Sequence, residues 1–427
     1  LPDGAVHHAT LTPAFTPVTW GPEPLRDGTH IVRVTIGGVA TDVGLIVTCP
    51  KAPGGYLPLL IPQRLLDSRD SVAIPPGSVR DVQVTGSSTE IPESGISAAM
   101  LNVTAVTPGS SGYLTVFPAG TTPPNASNVN FLAGQIVPNQ VLAMLGSGGR
   151  VSILNGSAGA THVVVDIVGF FSAGTVVDSG GTTGVAPSRL LDTRTSMGGA
   201  GALAPGEYRG VAAAGFAGVP ASDVMAVVVN VTAVAPNGAG YLALFADGAS
   251  PPLTSNVNYL PGQVVANLAF VSLSTAGRLQ ILNGSPGATD VVIDVVGYVS
   301  WKGTPVSASG MFQPWTGVRV TDTRVGSGRV PAGQVIVAAV TAGSAYVGAD
   351  IIAVATNVTL LAGRAGGYVK VWPGTVTPNT STVNFAPHQV ASNHVVAKTS
   401  DVGSIYVNNE SAAPVDIVID VFGFFLS

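Results

Sequence analysis

MAVVVNVTAVAPNGAGYLALFA, residues 225–246, decides the fold class of this chain. Its first ten residues are apolar on both faces of an extended segment and dominated by β-branched Val, which suits a central strand covered on each side. APNGAG (235–240) then gathers Pro, Asn and Gly, the residues of a turn, and GYLALFA (240–246) resumes a second short strand. Working outward, runs of four to nine residues rich in Val, Ile, Thr and aromatics alternate with turns such as TPGSSG (107–112). Many short strands at regular spacing predict an all-β chain.

The same stretch is one part of a unit used three times, at roughly 61–172, 186–300 and 316–427. RLLDSR (64–69), RLLDTR (189–194) and RVTDTR (319–324) open the copies, at offsets of 125 and 130 residues. LNVTAV (101–106), VNVTAV (229–234) and TNVTLL (356–361) follow, then GYLTVFP (112–118), GYLALFA (240–246) and GYVKVWP (367–373). SNVNF (127–131), SNVNY (255–259) and STVNF (381–385) come next, and VVVDIVGFF (163–171), VVIDVVGYV (291–299) and IVIDVFGFF (417–425) close the copies. A unit this long exceeds a solenoid coil or propeller blade, so each copy is expected to build its own core. The predicted architecture is three tandem β-sandwich, jelly-roll-like domains of seven to nine strands, arranged as a stack or around a pseudo-threefold axis. Residues 173–185 and 301–315 read as connections, the second packing through Trp301, Phe312 and Trp315. Residues 1–60 form a separate N-terminal β segment, either a cap or an arm that pairs with another subunit. Within it, 30–48 reads as a hairpin around Gly37-Gly38, and 11–20 as an extended, proline-punctuated piece.

Composition narrows the function. The net charge is −5, with four Lys and no basic cluster, which offers no footprint for nucleic acid or an anionic membrane surface. Apolar runs such as THVVVDIVGFF (161–171) are too short to span a bilayer and carry an acid in the middle. The single Cys49 excludes an internal disulfide framework and reads as a small apolar residue. The chain begins at Leu1 rather than Met, and low Lys and Cys suit an exported, processed protein at the cell surface or outside the cell.

With 18 Lys and Arg and 23 Asp and Glu in 427 residues, recurring charges need a reason. Each copy keeps an Arg-x-x-Asp-x-Arg set: Arg64, Asp67 and Arg69; Arg189, Asp192 and Arg194; Arg319, Asp322 and Arg324. Each also places an acid within its last apolar strand: Asp166, Asp294 and Asp420. A carboxylate there is costly to bury alone, and a guanidinium satisfies both of its oxygens with a bidentate pair. The expectation is that the opening Arg pairs with the closing Asp and ties the ends of each unit together. The same carboxylates could instead offer hard oxygen ligands to calcium or act as a hydrolytic pair; the adjacent Arg residues and the threefold repetition argue against both.

Asn102/Asn230/Asn357, Asn130/Asn258/Asn384, Asn139/Asn267/Asn393 and Asn155/Asn283/Asn408 also recur, and read as amides bonding to backbone at turns and bulges. The alternative is a glycan face built by Asn beside Tyr113, Tyr241, Tyr368 and Trp372. The NVT sequons lie within apolar strands, where a glycan would not fit. No nucleophile elbow, zinc-protease motif, P-loop or dinucleotide fingerprint occurs, and no catalytic, cofactor or metal residues are assigned. His388 and His394 are close in sequence but read as surface residues rather than metal ligands.

The ordered blocks RLLDTR, NVTAV, GYLTVFP, SNVNF and DVVIDVVGY resemble a β-rich repeat found in tandem in exported and cell-surface proteins of actinobacteria and related high-GC bacteria, sometimes behind a peptidase or cell-wall amidase domain. The resemblance covers 61–427, and the third copy departs most, with RVTDTR and YVNNE. It implies an extracellular, non-catalytic module without cofactors. The expected function is a structural or adhesive protein: a spacer, a surface-fibre or coat subunit, or a wall-associated module. Its partners would be further copies of itself or a surface glycan. A carbohydrate-binding module and a virion or tail-fibre component are the alternatives.

Overall fold

Two strands on either side of Gly37-Gly38, β1 (Gly28–Ile36) and β2 (Val39–Val47), pair antiparallel from Gly28 opposite Val47 to Ile36 opposite Val39, the predicted hairpin. The computed structural model describes these by backbone, together with residues 53–174, 179–199, 201–301, 309–342, 344, 351–374 and 376–427, Thr316 by backbone only. The stretch 11–20 and Cys49 lie outside the described residues. Residues 52–427 form a unit of their own.

In that unit each repeat makes eight strands among the described residues. The first holds β3 (Tyr56–Asp67), β4 (Val79–Gln83), β5 (Ile96–Val106), β6 (Gly112–Pro118), β7 (Val129–Phe131), β8 (Ile136–Met144), β9 (Arg150–Asn155) and β10 (His162–Ser172). The second holds β11 (Gly180–Asp192), β12 (Tyr208–Ala212), β13 (Val224–Val234), β14 (Gly240–Ala246), β15 (Val257–Tyr259), β16 (Val264–Ser272), β17 (Arg278–Asn283) and β18 (Asp290–Trp301). The third holds β19 (Phe312–Asp322), β20 (Val335–Ala339), β21 (Ile351–Leu361), β22 (Gly367–Trp372), β23 (Val383–Phe385), β24 (Val390–Lys398), β25 (Ser404–Asn409) and β26 (Asp416–Leu426). The only helical pieces among the described residues are the short 3-10 turns Ser68–Asp70 and Ser147–Gly149.

The strands of each repeat divide into two antiparallel sets of four, and the first sets of the first two repeats join through β3 and β11 into one eight-stranded sheet. In the first repeat the orders are β3-β10-β5-β8 and β4-β9-β6-β7, and the other repeats follow the same plan. This is the jelly roll, in which the chain crosses repeatedly between two facing sheets. Alternation along the strands supplies the core: Leu101, Val103, Val141, Val163 and Val165 of the first sheet meet Leu114, Val116, Val151 and Ile153 of the second, all buried.

The first sheet of each repeat is apolar on its other face too, and that face builds a fourth core shared by all three repeats. Tyr56, Met100, Leu142 and Phe171 meet Val228, Leu268, Phe270 and Val299, then Phe312, Ala355, Val396 and Phe425. Phe171 lies 4.6 Å from Phe312 and 5.0 Å from Tyr56 between ring centroids, and Phe312 lies 5.0 Å from Phe425. Backbone pairs complete the junction. Gly180 pairs with Tyr56, Gly54 and Phe312 exchange bonds of 3.0 and 2.8 Å, and Thr182 N donates to Gly310 O at 2.9 Å. The repeats therefore surround a pseudo-threefold axis rather than forming a linear stack. The glycines of two closing strands belong to this packing, since a Cβ on Gly169 would run into the Tyr56 ring and one on Gly423 into the Phe312 ring.

The opening strands extend further back than the sequence predicts. β3 begins at Tyr56, inside the stretch read as N-terminal segment, while β11 and β19 begin inside the two stretches read as connections. Each opening strand leaves its ladder midway and rejoins it: β3 between Pro58 and Gln63, β11 between Gly184 and Ser188, β19 between Pro314 and Val318. Such bulges accommodate Pro62 and Pro187, which lack a ladder N–H. Residues 175–178 and 302–308 lie outside the described residues.

Candidate functional site

The recurring polar residues converge on the seams between repeats. In the first repeat Arg64 lies opposite Asp166 on neighbouring strands, and its Nε donates to Asp166 Oδ1 at 2.5 Å. Arg64 Nη1 donates to Asp67 Oδ2 at 2.9 Å, and Arg69 clasps the same carboxylate through Nε and Nη2 at 2.8 and 2.5 Å. Arg189 with Asp294, Asp192 and Arg194 repeats this chain of charges, as does Arg319 with Asp420, Asp322 and Arg324. The residue between Asp and the second Arg stitches the opening strand to the closing one, because the Ser68, Thr193 and Thr323 hydroxyls accept the N–H of Val163, Val291 and Ile417.

Environment separates the two kinds of carboxyl. Asp67, held mainly by Arg69, is pulled down to about 2, and Asp192 and Asp322 are lowered by Arg194 and Arg324 in the same way. Burial pushes Asp166 up to about 6 against the pull of Arg64, and raises Asp294 and Asp420 against Arg189 and Arg319. All six are matched by guanidinium, the arrangement of a fastener.

These networks face the next repeat. Arg64 Nη2 reaches Leu253 O of the second repeat at 3.4 Å, and Arg189 Nη2 reaches Asn379 O of the third at 3.0 Å. Asp294 also accepts a backbone bond from Ser381, and Asp420 one from Ser127.

The asparagines form two closed cycles around the axis. Asn102 Nδ2 donates to Ser255 O at 2.7 Å, Asn230 Nδ2 to Ser381 O at 2.7 Å, and Asn357 Nδ2 to Ser127 O at 2.6 Å, running from first to second to third and back to first. Asn139, Asn267 and Asn393 lie on the edge strands nearest the axis. Asn267 Oδ1 accepts Gln140 N, Asn393 Oδ1 accepts Leu268 N and Asn139 Oδ1 accepts His394 N, each at 3.0 Å. Their Nδ2 groups bond across the seams to Asn102, Asn230 and Asn357 Oδ1 at 3.2, 2.8 and 2.9 Å. All six amides are at most 2% exposed. The sequence pattern suggests local turns for these residues; the structure uses them between repeats.

Other asparagines do act locally. Asn155 Nδ2 donates to Ile74 O and Gly159 O while its Oδ1 accepts from Ser157, and Asn283 does the same. In the third repeat this role belongs to Asn409, bonded to Val330 O, Ala413 O and Ser411, and not to Asn408 as the sequence suggests. Asn130, Asn258 and Asn384 bond Ser127, Ser255 and Ser381 hydroxyls.

Of the expected glycan face, Tyr113 and Tyr241 are 39% and 36% exposed, whereas Trp372 is buried at 3% and stacks on Tyr406 at 5.7 Å. Lys370 Nζ sits 6.0 Å over the Tyr368 ring and pairs with Glu410. His388 is exposed, but His394 is fully buried, a correction to its reading as a surface residue. Burial holds its imidazole down at about 3, and neither ring nitrogen has a partner among the described residues. Among those residues no group of three or more His, Cys, Asp or Glu is arranged to hold a metal ion, and no helix is long and apolar enough to cross a membrane.

No protein-family model matches the chain, and no curated protein matches it. Two solved structures from viruses are similar over most of their length. One, from the atomic structure of Sulfolobus Turreted Icosahedral Virus, is 10% identical over 94% of this chain and 91% of that one, with a TM-score of 0.16. The other, described by the triple jelly roll fold and turret assembly in an archaeal virus, is 9% identical over 94% and 90%, also with a TM-score of 0.16. Scores this low carry no argument about function. The chemistry of the seams does: paired charges and saturated amides, arranged to hold surfaces together.

Proposed function

We propose that this chain is a non-catalytic structural building block, a trimer of jelly rolls made from one polypeptide, that assembles with further copies into a fibre, coat or virion component outside the cell. The closed cycle through Asn139, Asn267 and Asn393 carries the reading, because it engages one recurring residue of each repeat in holding three sandwiches about one axis. The recurring guanidinium and carboxylate groups are likewise matched to one another. A threefold prism suits repetition in shells and shafts, where symmetry sets which surfaces meet.

Electron microscopy and sedimentation of the full chain over a concentration series test this. Prism-shaped particles that join into ordered filaments, sheets or shells as concentration rises are expected. Particles that stay monodisperse at every concentration would overturn assembly, and turnover of a peptidoglycan, peptide or ester substrate would overturn the non-catalytic reading.

A further inference from the structure

The three seams differ in what the opening Arg reaches. In the seams between first and second and between second and third repeats, the opening Arg lends Nη2 to a loop carbonyl of its neighbour, Leu253 O or Asn379 O. In the seam between third and first repeats, Arg319 bonds Asp420 at 2.8 and 3.1 Å and Asp322 at 3.4 Å, and no bond to Asn125 O, the corresponding carbonyl, forms. A groove of about 270 Å³ lies there, with Tyr113, Asn125 and Asn130 on one wall and Arg319, Arg324 and Thr359 on the other. We propose that this groove binds a neutral saccharide, held by Tyr113, Asn125, Arg319 and Arg324.

Three properties point to that ligand. Donors remain: a guanidinium carries five N–H groups in a planar fork. Arg319 engages Nε and one N–H on each terminal nitrogen, while Arg324, 42% exposed in its side chain, engages Nε and Nη2 with Asp322. Among the described residues the other N–H groups meet no acceptor, and both arginines line the groove together with Asn125. The charge is balanced, since Asp322 and Asp420 offset Arg319 and Arg324. An anion gains little there, and hydroxyl groups, which both donate and accept, suit a mixed set of donors and acceptors. The third property is a flat apolar wall. Tyr113 is 39% exposed, and its ring rests against Gly156, where a Cβ would run into it. Such a ring covers the C–H face of a sugar while its hydroxyl stays in water. The volume lies near the lower end of small-molecule sites, about 300 Å³, so one or two sugar rings would enter.

This site goes beyond the structural role proposed above and does not depend on it. The full chain is screened against neutral di- to tetrasaccharides of glucose, mannose, galactose and N-acetylglucosamine, with inorganic phosphate and glucuronic acid as anionic controls, and binding is followed by calorimetry. One neutral sugar series is expected to bind. Tyr113→Ala should weaken it about tenfold, the loss of one aromatic contact. Asn125→Leu, which places at this exposed position the residue of the second repeat, should weaken it without lowering Tm. Tyr241→Ala at the neighbouring seam should change nothing. Failure of every neutral sugar to bind at millimolar concentration, displacement by inorganic phosphate, or equal weakening by Tyr241→Ala would each overturn the proposal.

Discussion

Asn267 of the second repeat accepts the backbone N–H of Gln140 of the first at 3.0 Å, while its own amide N–H groups reach Asn102 Oδ1 and Asn256 O. One side chain thus satisfies two repeats at a site closed to water. Asn267→Ala leaves the Gln140 N–H and two acceptors buried without partners, and unpartnered buried groups are expensive. A loss of about 2–5 kcal/mol is expected in denaturant unfolding, against less than about 1 kcal/mol for Asn258→Ala, whose amide bonds only a hydroxyl of its own repeat.

Asp294→Ala removes the bidentate partner of Arg189 at a seam where its side chain is only 19% exposed, leaving it the single ion pair with Asp192. Breaking a buried pair from one side costs about 3 kcal/mol or more, whereas replacing both partners by apolar residues costs far less. The pair Arg189→Met with Asp294→Leu should therefore recover most of the stability lost by the single change. If the double substitution is no more stable than Asp294→Ala in thermal unfolding, the cost lies elsewhere than in the broken Arg189–Asp294 pair.

His394 gives the prism a dependence on acidity. Its folded pKa is lowered to about 3 from 6.5, so the folded state binds fewer protons than the unfolded state between those values. Stability from this residue is fully present above pH 6.5 and falls as pH drops toward 3, by up to about 1.4 kcal/mol per pH unit. The comparison to make is with His394→Leu, the residue that Leu268 provides in the second repeat. The two proteins should unfold alike near pH 7.5, and the variant should become progressively more stable below pH 6.

Phe312→Ala empties the centre of the shared core without touching the three sandwich cores. About 3–5 kcal/mol should be lost. Hydrogen exchange should locate the loosening at Gly54, Gly180 and Gly310, whose backbone bonds join the opening strands, while amides between the two sheets of each repeat keep their protection.

The all-β class, the threefold repetition and the sandwich were legible because they rest on period and punctuation, which single sequences carry. The position of strand beginnings was not: β3, β11 and β19 start inside stretches read as N-terminal segment or connection, and only the partner strand reveals a ladder that resumes beyond a bulge. Asp166 and its equivalents stood out because a charge amid Val and Ile demands a counter-charge. The asparagine cycles did not, since an amide that serves its own turn and one that serves a neighbouring repeat look alike in sequence. A usable signal was present nonetheless: amides kept in three otherwise diverging copies, inside strands rather than at turns, are what a cyclic interface would require. His394 offered no warning, because its counterparts Gln140 and Leu268 share neither charge nor shape.

Linking the three jelly rolls in one polypeptide frees each seam to change by itself. In a trimer of identical chains a substitution strikes three places at once, and a poor one is triply harmful. Here Gln140, Leu268 and His394 occupy matching places, Gly156 and Gly284 match Glu410, and Leu253 matches Asn125, so one junction can acquire a specialised surface while its two siblings keep the particle whole. Stoichiometry is fixed at translation, and asymmetry becomes a heritable trait of the particle.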